Sequence, residues 1–367
     1  MRLIGHGCAN GLTSLKKAVA IDVPLQKAQP VLSILREAGL VDASLRFNRS
    51  DKTLMIPLRQ APSDQIVSQI GYYCSVRIMT WDFAESFRPP RDIIEAVNAN
   101  IPANLTGYLP RSYDVIGDIA IIDLAEAIQP FGQIVGEAIQ KINPHLRLVV
   151  RKVGAVSGAY RTRQLEILAG TGSMETKHHE FACCYVLNLS TVYFNPRLSN
   201  ERMRVAEQVG PEDHVVDMFA GVGPFSILIA KTHPNVRVCA CDINPDAIEF
   251  LKENIFLNGL VGRVIPILGD AAKSMDHGLR AWANRIIMNL PSEAENYLPV
   301  ALDILREEGT IHYYEFASRN DKIEDIEMKI RDIIEDAGRM VRSFTFADAI
   351  REVAPGRVQV AIDVLIE

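Results

Sequence analysis

The sequence predicts an α/β protein whose main part is a doubly wound, largely parallel sheet of seven strands, preceded by two smaller α/β units. Two patterns predict this architecture. A strand, a Gly-x-Gly turn, a helix and a second strand follow one another within 214–245, and strand and helix patterns alternate from there to the C-terminus. The length of 367 residues, with 48% hydrophobic and 23% charged residues, suffices for two or three globular domains.

The first unit is predicted to span residues 1–72. Strand patterns at 19–23 and 54–58 flank a helix at 24–39, which Gly39 is placed to end. No grouping of acids, histidines or nucleophiles typical of catalysis occurs in this stretch. We therefore expect a small α/β module without catalytic residues.

A linker is predicted at 73–90, where the composition changes and the chain reaches Phe87-Arg88-Pro89-Pro90. A second unit is then predicted over 91–190. Its elements are a β-rich run, a helix, a strand, and a turn followed by a strand, at 113–124, 132–142, 147–153 and 158–170. Adjacent His178 and His179 would point to opposite sides of an extended segment, so we expect no metal site there.

The charge distribution in this second unit is uneven. The whole chain has a formal net charge of −6, yet the stretch 141–163 contains six Lys or Arg and no acid. Such a run is either a solvated face or a surface that binds nucleic-acid phosphates. In the second case Arg151, Lys152 and Arg163 are the candidate contacts.

The third unit is predicted over 191–367 and begins with a helix on which Met203, Ala206 and Val209 recur at helical spacing. Its strands are predicted at 215–219, 236–241, 264–268, 285–288 and 310–316, with two antiparallel strands within 341–366. The helices between them are predicted at 224–231, 246–257, 293–306 and 321–337.

The glycine turn of this unit predicts a nucleoside site. Gly221 and Gly223 let a ligand approach the backbone, and Asp242 ends the second strand about 20 residues later, where an acid can bind ribose hydroxyls. A dinucleotide site needs a third glycine, and Ser226 stands there. Asp217, in the strand that Phe219 ends, favours a cationic ligand such as S-adenosylmethionine over a pyrophosphate. An ordinary crossover with a solvated acid is the alternative.

Other strand ends would face the same crevice. Asn289-Leu290-Pro291 follows the fourth strand, and its amide and carbonyl groups can accept hydrogen bonds from a planar amine and orient its nitrogen toward a methyl donor. Asp270, after the third strand, could bind an adenine amino group. Related motifs continue with a stacking aromatic, whereas Ser292 follows here, so Tyr193 or Phe194 is expected to stack on the substrate.

Methylation of a nitrogen that carries a proton needs a base and a group that stabilises the charge left behind. Glu201, on the helix before the glycine turn, is the candidate base; the alternative is an ordinary first-turn acid that interacts with the helix dipole. Arg161 is the candidate for the charge on a substrate oxygen, because a guanidinium is permanently charged and donates several hydrogen bonds.

Several motifs together resemble one family. They are YFNPRLSNER, DMFAGVGPFSI, DINPDA, NIFLN, IIMNLP and IHYYEF, with GAYRTRQLEILAG and YDVIGDIAI upstream. In combination they resemble the archaeal and eukaryotic tRNA (guanine-N1)-methyltransferases that act on the guanosine 3′ of the anticodon. The resemblance covers about residues 90–367. It implies a class I, Rossmann-like methyltransferase domain behind RNA-binding units, S-adenosylmethionine as cofactor, and tRNA bound at its anticodon loop and its elbow.

The resemblance also implies roles for individual residues. The family's base falls on Glu201, its guanine-O6 arginine on Arg161 and its guanine-contacting asparagine on Asn289. Its cofactor contacts fall on Arg202, Asp242, Ile243, Asp270 and Ala271. With the strand-end arguments, the cofactor set also includes Asp217, Phe219, Gly221, Gly223, Asn289 and Pro291, and the substrate set includes Tyr193 and Arg197. Asn195 and the run HHEFACC depart from the family pattern.

Other functions stay open at this stage. A wyosine-pathway enzyme on the same scaffold would transfer the aminocarboxypropyl group, but that family lacks Asn-x-Pro at the fourth strand end. A bifunctional methyltransferase and a non-catalytic RNA-binding homologue are further alternatives. The cysteines are scattered, and Cys239 and Cys241 are expected to be buried. Together with the lack of a signal or membrane segment, this predicts a cytoplasmic location. We also expect a monomer.

Overall fold

The structure, a computed structural model, describes residues 15–86, 90–97, 100–158 and 160–367. The N-terminal residues 1–14 of the predicted first unit, with Cys8, and the linker residues 87–89 lie outside them. The chain divides into two compact units, Met1–Pro90 and Arg91–Glu367. Within the described residues, no helix combines the length and the apolar character needed to cross a bilayer.

The first unit is a four-stranded sheet with two helices. Its elements are β1 (Leu15–Pro24), α1 (Ala28–Glu37), β2 (Asn48–Arg49), β3 (Thr53–Leu58), α2 (Asp64–Gly71) and β4 (Arg77–Ala84). The strand order is β2-β3-β1-β4, and β1 pairs antiparallel with both β3 and β4. Buried apolar residues of β1, α1 and β3 form its core, among them Ile21, Leu35 and Ile56.

Part of the predicted linker at 73–90 forms the strand β4, so the linker prediction does not hold there. Residues 77–84 form a strand along β1, with Ile21 opposite Ile78, and the compact unit continues to Pro90. The strand carries β-branched and aromatic residues, such as Thr80 and Trp81, which favour a pleated sheet. Only one of its eight side chains is buried, so it lacks the hydrophobic alternation that reveals a strand in a sequence.

The second unit starts with a four-stranded sheet and a hairpin. Its elements are α3 (Ile93–Val97), β5 (Asp114–Ile116), β6 (Ile119–Ile122), α4 (Gly132–Ile142), β7 (Leu148–Ser157), β8 (Thr162–Gly170), β9 (Glu175–Glu180) and β10 (Cys183–Asn188). The sheet order is β5-β6-β7-β8, and β9 and β10 pair antiparallel. The predicted helix at 132–142 and the strands on either side of it are confirmed.

The largest sheet has seven strands, as predicted. They are β11 (His214–Asp217), β12 (Arg237–Asp242), β13 (Val264–Leu268), β14 (Ala283–Met288), β15 (Leu305–Ser318), β16 (Val341–Ala354) and β17 (Arg357–Ile366). Their order is β13-β12-β11-β14-β15-β17-β16, parallel from β13 to β15, with β17 antiparallel to both neighbours. The chain moves outward from β11 in one direction and then returns to β14 on its other side, which makes a crevice at their carboxyl ends.

Helices cover both faces of this sheet. They are α5 (Ser199–Gln208), α6 (Pro224–Thr232), α7 (Pro245–Leu257), α8 (Ala294–Ile304) and α9 (Ile323–Asp336). Val238 and Ala240 of β12 belong to the core on one face, while Cys239 and Cys241 belong to the core on the other. The two cysteines are 4% and 1% exposed, so their predicted burial is confirmed.

The hairpin of β9 and β10 packs on the same core as the seven-stranded sheet. On α7, the Asn254 amide accepts from the Val186 N–H at 2.7 Å and donates to the Val186 carbonyl at 3.0 Å, and Asn258 makes the same pair of bonds with Cys184. These amides satisfy the backbone along one edge of β10. Residues 91–190 and 191–367 thus form one compact body, and their division into two functional units stays a prediction.

Candidate active site

The two glycines of the turn after β11 have different roles. Both have positive φ, 55° at Gly221 and 89° at Gly223. A Cβ at Gly223 would collide with Leu251, so this glycine allows close packing beneath the turn. A Cβ at Gly221 would meet only the Tyr193 carbonyl, at 3.8 Å, so the backbone there faces open space that a ligand can enter.

Asp242 lies directly beside this turn. Its Oδ2 accepts a hydrogen bond from the Gly221 N–H at 2.6 Å, and its Oδ1 accepts one from the Asn244 N–H at 2.9 Å. Burial raises the pKa of this carboxyl, and the two backbone bonds act against that shift. Each oxygen keeps a second acceptor position, so the carboxylate can also bind a pair of ribose hydroxyls.

Asp217 does not occupy the position expected of a ligand contact. Its side chain is 1% exposed, Oδ2 accepts from Ser226 Oγ at 2.8 Å, and Oδ1 has no hydrogen-bond partner among the residues that the structure describes. The carboxyl thus presents almost no surface to the crevice, and its direct contact with a cationic ligand stays a prediction. When it is ionised, its negative charge can still act on a bound sulfonium through space.

Burial raises the pKa of Asp217 to about 7, against the hydrogen bond from Ser226. The folded protein therefore holds a proton that the unfolded chain releases near pH 4, so this group lowers stability as the pH rises from about 4 to about 7. Without cofactor, Asp217→Asn should stabilise the protein above about pH 7 by up to about 4 kcal/mol and have little effect near about pH 4. Thermal unfolding of both proteins across this range tests it; parallel curves would contradict it.

An aromatic wall forms next to the third strand end. Asp270 follows β13, and its Oδ1 accepts from the Ala272 N–H at 2.9 Å. Burial, together with the nearby Asp270, raises the pKa of the Tyr297 hydroxyl on α8. The Tyr297 ring packs edge-on against Phe219 at 5.0 Å. Ile243, 45% exposed after β12, offers a further apolar surface, so these residues suit a flat base.

The Asn-Leu-Pro turn after β14 is held by the neighbouring strands. Asn289 Oδ1 accepts from Gln359 Nε2 at 3.3 Å, and Gln359 Oε1 accepts from Arg351 Nε at 2.8 Å. The Pro291 carbonyl accepts from the Phe316 N–H at 3.2 Å. These contacts fix the turn that was expected to orient the substrate.

Arg161 reaches this turn from a distant part of the sequence. It lies between β7 and β8, in a tight turn with φ of 53°. Its guanidinium donates a hydrogen bond to Ser292 Oγ and lies 3.5 Å from Glu293 Oε1. Arg161 thus contacts the two residues that follow the Asn-Leu-Pro turn, although it stands 131 positions before Ser292 in the chain.

Glu201 is buried on α5, and its carboxylate is bonded. Arg204 donates to it twice, Nε to Oε2 at 2.8 Å and Nη2 to Oε1 at 2.7 Å. The Tyr314 hydroxyl donates to Oε1 at 2.7 Å. Oε1 therefore accepts two hydrogen bonds and Oε2 accepts one, which leaves one acceptor position on Oε2. A first-turn acid that only complements a helix dipole would be exposed, and this one is 6% exposed.

The side chain of Arg202 does not face the crevice. It is 1% exposed, pairs with both oxygens of Glu180 at 2.8 and 2.5 Å, and lies over the Phe194 ring. Its predicted cofactor contact is therefore wrong for the side chain in this structure. Phe194, 9% exposed between Arg202, His178 and Tyr185, is likewise not free to stack on a substrate. Tyr193, 44% exposed, keeps that possibility.

The basic stretch at 141–163 is largely paired with acids from other segments. Arg151 pairs with Glu166 at 2.6 Å and Lys152 with Asp123 at 2.7 Å. Arg197 pairs with Asp114 at 2.6 Å. The stretch is acid-free in sequence but not in space, because β8 and the segment after β6 bring acids to it. Three residues of this stretch were predicted to contact phosphates: Arg151, Lys152 and Arg163. Of these, Arg163 makes no ion pair within the described residues.

The structure also shows polar residues that the sequence analysis missed. They lie around the predicted site and support it: Arg204, Tyr297, Tyr314, Gln359 and Asp363. The one signal for Arg204 was its position three residues after Glu201, where side chains on a helix meet. Among the described residues, no set of His, Cys, Asp and Glu side chains is arranged to hold a metal ion.

Comparisons with known families match three consecutive parts of the chain. Residues 176–341 match the TRM5/TYW2 methyltransferase domain, residues 93–173 the TYW2 N-terminal domain, and residues 20–66 the tRNA methyltransferase 5 N-terminal domain. The first of these contains the glycine turn and the strand ends described above.

Individual relatives resemble most of the chain. The tRNA (guanine(37)-N(1))-methyltransferase Trm5b of Pyrococcus abyssi is 36% identical over 94% of this chain and 98% of its own. The structure of a complex of aTrm5 and tRNALeu matches with a TM-score of 0.75 at 31% identity, covering 95% of this chain and 100% of that one. The structure of Methanocaldococcus jannaschii TYW2 in complex with AdoMet matches with a TM-score of 0.55 at 28% identity. The match covers 70% of this chain and 99% of that one. This chain belongs to the TRM5/TYW2 methyltransferase family.

Proposed function

We propose that this chain is a tRNA (guanine-N1)-methyltransferase that methylates N1 of guanosine 37, the nucleotide 3′ of the anticodon. The observation that carries the proposal is the contact of Arg161 with Ser292, which places a guanidinium beside the Asn289-Leu290-Pro291 turn at the carboxyl end of β14. A relative with 36% identity over almost the full chain is named for this reaction.

The cofactor is S-adenosylmethionine, which supplies an electrophilic methyl group when bound. The residues present fit it: the open backbone at Gly221, the Asp242 carboxylate for the ribose, and the wall of Phe219, Tyr297 and Ile243 for the adenine. Asp217 contributes a buried carboxyl with an unpartnered oxygen behind the turn, which suits a cationic ligand.

The substrate base would be held by its Watson–Crick edge. Guanine N1 lies on that edge, so the base must leave its stack and enter a pocket. Glu201 accepts the N1 proton at the remaining acceptor position of Oε2. Arg161 donates to O6, where negative charge develops as N1 loses its proton, and Asn289 orients the ring. The nitrogen electron pair then forms the bond to the methyl carbon as the sulfur–methyl bond breaks.

The RNA surface is proposed to include Arg163, which makes no ion pair within the described residues, and the exposed Tyr193. Arg151, Lys152 and Arg197 would have to exchange their carboxylate partners for phosphates. The cytoplasmic location and the monomeric state stay predictions from the sequence.

The second candidate is a wyosine-pathway transferase that moves the aminocarboxypropyl group. Residues 93–173 match a TYW2 N-terminal domain, and this observation favours it. Retention of Asn289 and Pro291 favours N1 methylation instead.

Product analysis separates the two candidates. The protein should convert an unmodified tRNA transcript with guanosine at position 37 into one that contains 1-methylguanosine, with S-adenosylhomocysteine as co-product. Mass spectrometry of the digested nucleosides measures this result. A transcript with adenosine at that position is the control. Aminocarboxypropyl transfer would instead need a modified guanosine and release methylthioadenosine.

A further inference from the structure

A buried chain of charged side chains lies behind Glu201. The Arg204 guanidinium that binds Glu201 also binds Asp363 of β17, with Nη1 to Oδ2 at 2.5 Å and Nη2 to Oδ1 at 3.1 Å. The Glu201 and Asp363 side chains are 5% and 0% exposed, and Arg204 lies over the Phe346 ring at 3.8 Å. One guanidinium is thus shared between two buried carboxylates, of which only one has a proposed chemical role.

The hydrogen-bond donors around Asp363 keep its carboxyl group ionised. His312 Nδ1 lies 2.6 Å from Oδ1, and Gln208 Nε2 donates to Oδ2 at 3.0 Å. On the far side of the imidazole, Arg285 Nη1 lies 2.8 Å from His312 Nε2. An arginine can only donate, so Nε2 accepts and Nδ1 carries the proton that it donates to Asp363.

The pKa values agree with this assignment. Complete burial lowers the pKa of His312, so the imidazole is neutral. Burial alone would raise the pKa of Asp363, but the hydrogen bonds from His312 and Arg204 hold it well below its usual range. Asp363 therefore keeps its negative charge at any pH at which the enzyme would work.

This fixed charge matters when Glu201 changes its own charge. If Arg204 were paired with Glu201 alone, protonation of Glu201 would leave a largely buried guanidinium without a counter-charge, which is strongly unfavourable. With Asp363 present, Arg204 stays balanced before and after the proton arrives. Because Arg204 also donates to Asp363, it stabilises the Glu201 anion less than it would in an isolated Arg204–Glu201 pair.

We propose that Asp363 is a positioning residue that acts through Arg204 and supplies the permanent counter-charge that lets Glu201 accept the substrate proton. The inference rests on the proposed function and on Glu201 as its base. Asp363 touches neither substrate nor cofactor in this scheme. In the sequence it stands within the last strand, 162 positions after Glu201, where no local pattern marks it.

The test uses Asp363→Asn in the full chain, with single-turnover methylation measured at saturating S-adenosylmethionine and tRNA transcript. The rate should fall about tenfold to a hundredfold, while the affinities for cofactor and tRNA stay within about twofold. Raising the pH from about 7 to about 9 should restore the variant's rate more than the wild type's, because hydroxide then removes the N1 proton without Glu201. A purely structural defect would not be rescued in this way.

Two further variants make the result specific. Asp363→Ser also removes the charge but has another shape, and it should show the same loss and the same alkaline rescue. Asp213→Asn breaks the ion pair with Arg285, 3.1 Å long, at the far end of the same chain of side chains. It should lower stability without lowering the rate.

The possible outcomes are distinct. If the wild type makes no 1-methylguanosine, the proposed function itself is wrong. If the wild type is active and both uncharged variants keep its rate, the inference about Asp363 is wrong. Variants that lose cofactor affinity, or that stay equally slow at every pH, would show a role in folding only and would also overturn the inference.

Discussion

Glu201→Gln should slow single-turnover methylation by about 10²–10⁴-fold, the usual contribution of a general base. An amide of the same shape cannot take up the N1 proton, whereas cofactor and tRNA contacts lie on other residues. The amide nitrogen will also face the donors of Arg204, which are now 2.7–2.8 Å from the carboxylate oxygens. Rapid-quench kinetics with labelled cofactor measures the rate, and equilibrium titrations measure both affinities.

A matched control for this variant is Tyr314→Phe. It removes the hydroxyl that donates to Glu201 Oε1 but leaves the carboxylate and its Arg204 pair in place. We expect a loss below about tenfold, since one hydrogen bond is worth about 1 kcal/mol. A Glu201→Gln enzyme with near-normal single-turnover methylation would leave the mechanism without its base.

Arg161→Ala should lower the single-turnover rate by about 10²–10³-fold, because it removes the donors aimed at the charge that develops on O6. Alanine has the same Cβ as arginine, so the cost of the positive φ at this position does not change. The rate of Arg161→Lys should lie between those of the wild type and Arg161→Ala, since an ammonium keeps the charge but lacks the planar, multiple-donor geometry of a guanidinium. The same rapid-quench assay measures both variants.

Ser292→Ala is the control here. It removes the hydroxyl that Arg161 contacts but keeps the guanidinium, so the rate should change little. A transcript with inosine at the target position should still react with the wild type, because inosine retains both N1–H and O6. Full activity of Arg161→Ala would show that another group stabilises the oxygen.

The local fold around Gly221, Gly223 and Asp242 was predictable because these residues are close in sequence. The spacing of Gly221, Gly223 and Asp242 requires a strand, turn, helix and strand, and parallel strands bring their carboxyl ends to one edge. What the sequence did not show in this part of the site is burial. Asp217 and Arg202 are each covered by neighbouring elements and bonded to Ser226 or Glu180. A sequence pattern gives the direction of a side chain, not what covers it.

The sequence by itself determined the α/β class, the seven strands with their antiparallel end, and the family. It could do so because hydrophobic periodicity and short motifs are local properties of the chain. It missed β4, in which only one side chain is buried, and it did not show the acids of other segments that pair with the basic stretch at 141–163. The roles of Glu201, Arg161 and Asn289 stay predictions.

The tertiary structure alone decided which side chains meet across long separations. It places Arg161 on Ser292, Gln359 on Asn289, and Asp363 on the guanidinium that holds Glu201. It also pairs Arg151 and Lys152 with acids of other segments. The contacts of Gln359 and Asp363 depend on how β17 inserts between β15 and β16. Strand order is set by the burial of the whole core, to which every element contributes, and so no local stretch of sequence encodes it.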